Sequence, residues 1–167
     1  SGAIGGAASQ EFMVTADSGE DLILISSNGD YSANEEKAVS KAPEPKLLQP
    51  GEPSLLETPN QTSIEDLCSK QLLFPSQIVK VLAMLAEFED GQMQPLLVSI
   101  RGDQELNEVK LVNALKVQTG KGVIDISPIT SKHLESQGLE GWPFGSIGPD
   151  LEDSLLKGSR NWKKKFL

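Results

Sequence analysis

An α/β (α+β) fold built on a mixed sheet is what this sequence predicts, and three observations carry the prediction. Compact apolar runs of strand length, at 94–100 and 123–126, alternate with stretches whose apolar residues recur at helical spacing. Those helical stretches carry start and stop signals, such as Ser63-Ile64-Glu65-Asp66 at one end and Gly138 at another. Aromatic residues make up only 5% of the 167 residues, so aliphatic side chains must form the core.

Residues 11–16 read as a strand after a glycine-rich approach, and 22–25 as a second strand. Asp17-Ser18-Gly19-Glu20-Asp21 and Asn28-Gly29-Asp30 are turn sequences. The stretch 32–40 reads as a helix, with Asn34 capping it ahead of Glu35 and Glu36 at the positive end of the dipole. From 42 to 59 the chain carries Pro43, Pro45, Pro50, Pro53 and Pro59 with Gly51, which interrupts any regular element and marks a linker.

Beyond it, Ser63 to Asp66 is a capping box opening a short helix. After Pro75, the placing of Ile78, Val79, Leu82 and Leu85 predicts a second helix. Residues 94–100 form a strand and 105–115 a helix, with Leu106, Val109 and Val112 on its inner side and Asp103 as N-cap. Residues 123–126 are a short strand, 130–137 a helix ended by Gly138, and Ile147 closes a further strand before Pro149. No repeat is visible.

Composition removes several function classes. No apolar stretch reaches the roughly 18 residues that would span a bilayer, and no secretory signal opens the chain. One cysteine, Cys68, excludes an internal disulfide and suits a reducing compartment, so the cytoplasm is the expected location. With one histidine, His133, no zinc site of common spacing can be assembled. Cys68 reads as a packing residue and His133 as a surface residue.

The net charge of −9 argues against a nucleic-acid binder, but it is unevenly spread. Residues 1–60 carry −7 and residues 61–167 only −2, so the second part can approach a phosphate backbone. The densest basic cluster, Arg160 with Lys163, Lys164 and Lys165, reads as the solvated face of a terminal helix.

The sequence contains no G-x-S-x-G elbow, P-loop or dinucleotide fingerprint, so an enzyme built from it works mainly by positioning. Three segments invite a functional reading. Arg101-Gly102-Asp103 leads through Asn107 to Lys110 as a strand end feeding a helix. Gly145-Ser146-Ile147-Gly148-Pro149 is a G-x-x-x-P loop whose glycines let backbone N–H groups approach a ligand. Lys80, a lone cation among Ile78, Val79, Val81 and Leu82, either snorkels to solvent or faces a pocket that takes an anion.

Together these segments resemble bacterial prolyl-tRNA synthetases, with a cyanobacterial character, over nearly the whole chain. Ser1-Gly2-Ala3-Ile4-Gly5-Gly6 through Phe12, Asp17 to Asp21 and Tyr31 to Glu35 look like that family's class II core. Thr58-Pro59, Ile78-Val79-Lys80, the run from Arg101 to Lys110, and the 145–149 loop look like successive landmarks of its inserted, YbaK-like editing domain. The resemblance implies three parts: 1–41 from the catalytic core, a 42–57 linker, and the editing domain over 58–167, incomplete at its end.

It also implies an aminoacyl-tRNA deacylase acting in a proline–tRNA ligase. Such a domain hydrolyses alanyl-tRNA(Pro), because a pocket built for proline excludes a smaller amino acid by only ~1–3 kcal/mol. By resemblance Lys80 grips the tRNA 3′ end, and Gly145, Ser146, Ile147, Gly148 and Pro149 offer backbone groups to the aminoacyl moiety. Asp103 and Asn107 shape the site. Editing needs no cofactor, whereas the parent synthetase uses ATP with Mg at residues outside this stretch; its partners are the tRNA(Pro) acceptor end and a second copy in a homodimer.

Two departures accompany the resemblance: Gln10 stands where a histidine is common, and the family's editing histidine falls after Leu167. The chain therefore reads as a fragment unable to activate proline. A free-standing deacylase and a non-catalytic tRNA- or protein-binding module are the alternative readings.

Overall fold

The structure, a computed structural model, describes residues 14–167 apart from Thr15, Glu20, Asp21 and Glu36. It divides into two compact units, one ending at Ala42 and the other running from Pro43 to Leu167. The strand expected at 11–16 lies outside the described residues except for Val14 and Ala16, and neither of these is in a strand.

In the first unit, β1 (Ile23–Ile25) pairs antiparallel with β2 (Ser32–Asn34), matching Ile23 to Asn34 and Ile25 to Ser32. Ser26 and Asn28 both donate to the Asp30 carboxylate, at 2.9 and 2.8 Å, which ties the connecting turn. The helix predicted over 32–40 is corrected to this strand followed by a single turn. Asn34 does cap, its Oδ1 accepting from Lys37 N at 3.0 Å, but residues 32–34 are already committed to the hairpin. Val39 N then donates to the Tyr31 hydroxyl at 2.8 Å, drawing the chain away from a second turn.

The second unit begins with proline-rich chain that has no helix or strand before residue 63 yet is tied down. Lys46 N donates to Ser76 Oγ at 3.0 Å, Gln77 Nε2 to the Leu47 carbonyl at 2.9 Å, and Arg101 to the Pro43 carbonyl at 2.9 Å. Helix α1 (Ile64–Gln71) follows, capped as predicted by Ser63, whose Oγ accepts from Asp66 N at 3.1 Å.

The helix predicted after Pro75 is corrected to a 3-10 turn at Pro75–Gln77 and a ten-residue strand, β3 (Val79–Phe88). Its β-branched start suits a pleated backbone, and Ala83 to Ala86 are buried on both faces, so period-2 alternation is erased. Strand β4 (Met93–Arg101) pairs antiparallel along the whole of β3, from Val79 opposite Arg101 to Glu87 opposite Met93. On the other side, β5 (Val123–Pro128) pairs antiparallel with β3 only as far as Met84 opposite Pro128. Every named strand pair is therefore antiparallel, and the parallel component of the expected mixed sheet is confined to an isolated bridge between Met93 and Trp162.

Helix α2 (Glu108–Thr119) is capped by Asn107, whose Oδ1 accepts from Lys110 N at 3.0 Å. Asp103, predicted as that cap, is four residues too early and is held by Arg101 instead. Helix α3 (Ser131–Gln137) starts at Thr130 and stops at Gly138 as predicted. His133, half-buried, helps its start by accepting from Thr130 N at 3.2 Å.

No strand forms at Ile147. Bonds from Phe144 N to the Trp142 carbonyl and from Ser146 N to the Pro143 carbonyl, both 2.9 Å, wind this stretch into successive turns. Nor do Lys163 to Lys165 lie on a helix. Their segment runs beside the outer edge of β4, with Lys163 N donating to the Met93 carbonyl at 3.0 Å and Leu167 N to the Pro95 carbonyl at 3.1 Å. An edge strand takes these residues because its unpaired groups need partners.

The two faces of the sheet each bury a cluster. Met84, Ala86, Phe88 and Leu96 pack with Leu115 of α2 on one side. Ala83 and Leu85 pack with Ile129, Leu134, Leu139, Trp142, Leu156 and Trp162 on the other. Full burial of a side chain such as Phe88 or Leu96 contributes about 1.5–3 kcal/mol. Among the described residues no helix is long and apolar enough to cross a membrane.

Candidate functional site

The shorter reach of β5 determines where the site lies. Beyond Met84 the β5 side of β3 has no strand beside it, and the space is a cavity of about 750 Å³. Val79, Lys80, Val81 and Leu82 form one wall; Thr62, Ser63 and Ile64 at the start of α1 form another; Ile129, Phe144, Gly145, Ser146 and Ile147 complete it. This volume falls within the usual range for small-ligand sites, about 300–1,000 Å³.

Lys80 and the loop beginning at Gly145 thus meet across one hollow. Gly145 has φ +83°, and a Cβ there would lie 2.8 Å from Thr62 Cβ, so the loop presses on the approach to α1 with no room for a side chain. Trp142 holds the loop from behind, its ring 5.5 Å from Phe166 and 6.5 Å from Trp162. The buried Trp142 Nε1 has no hydrogen-bond partner among the described residues.

A second hollow of about 670 Å³ adjoins the first and is lined by Glu65, Cys68, Ser69, Pro75, Gly102, Asp103, Gln104 and Glu105. Lys80 and Ile64 line both hollows, so the lysine stands at their junction. Gly102 permits the turn here: its N–H donates to the Ile78 carbonyl at 2.7 Å, and a Cβ would meet the Pro75 carbonyl oxygen at 2.6 Å. Cys68 is half-buried in this wall, rather than packed in a core.

Asp103 is fixed by Arg101, with Nε to Oδ1 at 2.6 Å and Nη2 to Oδ2 at 2.9 Å. That bidentate bond holds the Asp103 carboxyl below its ordinary pKa, helped by the Arg101 and Lys80 charges, and raises the Arg101 guanidinium above its own.

The residues singled out in the sequence therefore divide. Lys80, Gly145, Ser146 and Ile147 share the larger hollow, and Asp103 shares the smaller one with Lys80. Gly148 lines a third hollow of about 350 Å³ with Asp150 and Leu155, while Pro149 and Asn107 line none of the three. Thr62, Leu82 and Ile129 were not singled out as functional. Their roles depend on where the chain folds back, and the only hint was Thr58-Pro59 just ahead of Thr62. Among the described residues no group of His, Cys, Asp and Glu could hold a metal ion.

Residues 58–130 match the family described as the aminoacyl-tRNA editing domain, which spans α1, the sheet and α2. The whole chain is 63% identical over 167 residues to the proline–tRNA ligase of Prochlorococcus marinus (strain MIT 9313). It is 62% identical over 166 residues, or 99% of the chain, to that of Synechococcus sp. (strain CC9311). It is 58% identical over its full length to that of Parasynechococcus marenigrum (strain WH8102). The chain spans 28% of the length of each of these relatives. Residues 58–130, which carry α1 and the open end of β3, are thus similar to the aminoacyl-tRNA editing domain, within a sequence similar throughout to cyanobacterial proline–tRNA ligases.

Proposed function

We propose that this chain carries out post-transfer editing for a proline–tRNA ligase, hydrolysing alanyl-tRNA(Pro) in the cavity beside β3. The observation that supports this reading best is the convergence of Lys80 and the 145–147 backbone on one hollow large enough for an esterified tRNA end. In this reading residues 1–41 belong to the synthetase core, 42–57 link, and 58–167 form the editing domain.

An aminoacyl ester is already activated, so the site's task is to orient water and to stabilise the developing oxyanion. Water oxygen bonds to the ester carbonyl carbon and the bond to the ribose oxygen breaks. The proton released by water ends on that ribose oxygen, leaving free alanine and an intact tRNA. Lys80, at the junction of the hollows, grips phosphate of the 3′ end by a charge-assisted bond. Gly145, Ser146 and Ile147 supply backbone groups at the acyl end, and Gly148 with Pro149 stiffens the loop's exit. Asp103 and Asn107 act at a distance, the first holding the 101–103 turn and the second starting α2.

A hollow of about 750 Å³ is too large to reject proline by total volume. In this reading discrimination against it falls to the wall that meets the side chain, for which Leu82, Ile129 and Ile147 are the apolar candidates. The complete protein is proposed to be a cytoplasmic homodimer using ATP with Mg²⁺ for proline activation. Among the described residues no group of His, Cys, Asp and Glu could hold that metal ion. The test is to incubate the full-length protein with alanyl- and prolyl-tRNA(Pro). Release of alanine but not proline is expected, and equal stability of both esters would refute the reading.

A further inference from the structure

The end of β5 leaves a short length of β3 with one edge unpaired, and its polarity can be read from the ladder. Gly102 N donates to the Ile78 carbonyl and Phe88 N to the Gln92 carbonyl, so even-numbered residues of this stretch turn their backbone groups toward β4. Ile129 N donates to the Ala83 carbonyl at 2.9 Å, so odd-numbered residues face the β5 side. One pleat further, Val81 points its N–H and C=O the same way, past the last β5 pair. Neither group has a hydrogen-bond partner among the described residues, and Val81 lines the larger cavity.

This donor and acceptor sit side by side, spaced as in one half of an antiparallel hydrogen-bonded pair. An α-aminoacyl ester presents the complementary couple, an ammonium donor and a carbonyl acceptor separated by one Cα. We propose that the aminoacyl group docks on this free edge as a one-residue antiparallel strand. Its ammonium donates to the Val81 carbonyl, and its ester carbonyl accepts from the Val81 N–H. Val81 is then a binding residue acting through its backbone, and its N–H is a preorganised donor to the oxyanion formed when water adds. The proposal rests on the editing reading above, since it names the contact made by that substrate at that site. It explains why such a site recognises any small α-aminoacyl ester without a charged side chain for the ammonium.

Proline has no N–H, and at an unpaired edge position it removes a donor without breaking the ladder to β4. The test uses the full-length protein with alanyl-tRNA(Pro), comparing wild type, Val81→Pro, and a protein in which the α-hydroxy acid analogue of valine replaces Val81 and converts only that amide to an ester. Loss of deacylation on the order of 10²-fold in both variants, with proline charging retained, is expected. If the hydroxy-acid protein deacylates within twofold of wild type, the pairing is wrong while the editing reading survives. If wild type itself leaves alanyl-tRNA(Pro) intact, the editing reading falls and this inference falls with it. As a second arm, propionyl-tRNA(Pro), which has no amino group to donate to the Val81 carbonyl, should be cleaved at least about tenfold more slowly; an undiminished rate would also overturn the pairing.

Discussion

A Cβ on Gly145 would lie 2.8 Å from Thr62 Cβ and 3.0 Å from its Cγ2, and the glycine's φ is +83°. Two independent constraints therefore fix this position as glycine. Left-handed backbone costs an alanine about 1–2 kcal/mol, and the contact forces the loop and the approach to α1 apart. Gly145→Ala is expected to lower the melting temperature by a few degrees and alanyl-tRNA deacylation by tenfold or more. Differential scanning calorimetry and a deacylation time course check the two effects separately.

Lys80→Ala should leave the fold intact, because the half-buried Lys80 side chain makes no hydrogen bond or ion pair among the described residues. A charge-assisted bond to phosphate is worth about 1.5–3 kcal/mol, which corresponds to roughly 10- to 100-fold in deacylation. Lys80→Arg keeps the charge and should recover part of the loss. Wild-type deacylation in Lys80→Ala would remove the lysine from the site.

How much of this was legible in the sequence depends on the range of the interaction. Ser63, Thr130 and Gly138 act within three or four residues of themselves, and their capping chemistry predicted α1 and α3 correctly. β3 was misread because Ile78, Val79, Leu82 and Leu85 satisfy a helical face by coincidence, while burial of Ala83 to Ala86 on both sides erased the alternation that marks a strand. Lys80 was ambiguous on its own. Only the register of β3 against a shorter β5 reveals the hollow it borders, and only the family resemblance linked it to a loop 65 residues away.

The N-cap of α2 supplies a stability test that separates neighbouring residues. Asn107→Ala removes the acceptor for Lys110 N and should cost about 1 kcal/mol in urea unfolding. Asp103→Asn should leave the cap unaffected, since Asp103 bonds Arg101. Wild-type urea stability in Asn107→Ala would remove the cap from Asn107.

The same ion pair sets a pH dependence. Asp103 has its folded pKa depressed by the Arg101 bond, so its contribution is fully present above the unfolded value of about 3.9. That contribution disappears as pH falls through the lower folded value. Wild type should therefore exceed Asp103→Asn slightly in melting temperature at neutral pH, and the two should converge in strong acid. A gap that persists unchanged at low pH would show that the aspartate acts by shape and not by charge. The pair is partly exposed, and 0.5 M salt should narrow the gap.

The segment that pairs along the outer edge of β4 has a consequence for synthesis on the ribosome. Met93 to Leu97 are made some 70 residues before the Trp162 to Leu167 stretch that joins them, and Trp162 and Phe166 brace Trp142 behind the 145–147 loop. At 5–20 residues per second, the sheet waits several seconds for this clasp. Until then Gly145 and its neighbours lack the Trp162 and Phe166 rings behind Trp142, so a nascent chain holds Lys80 in place before the opposite wall of its hollow is fully braced. The wall opposite Lys80 is therefore braced only once residues 162–167 have been made.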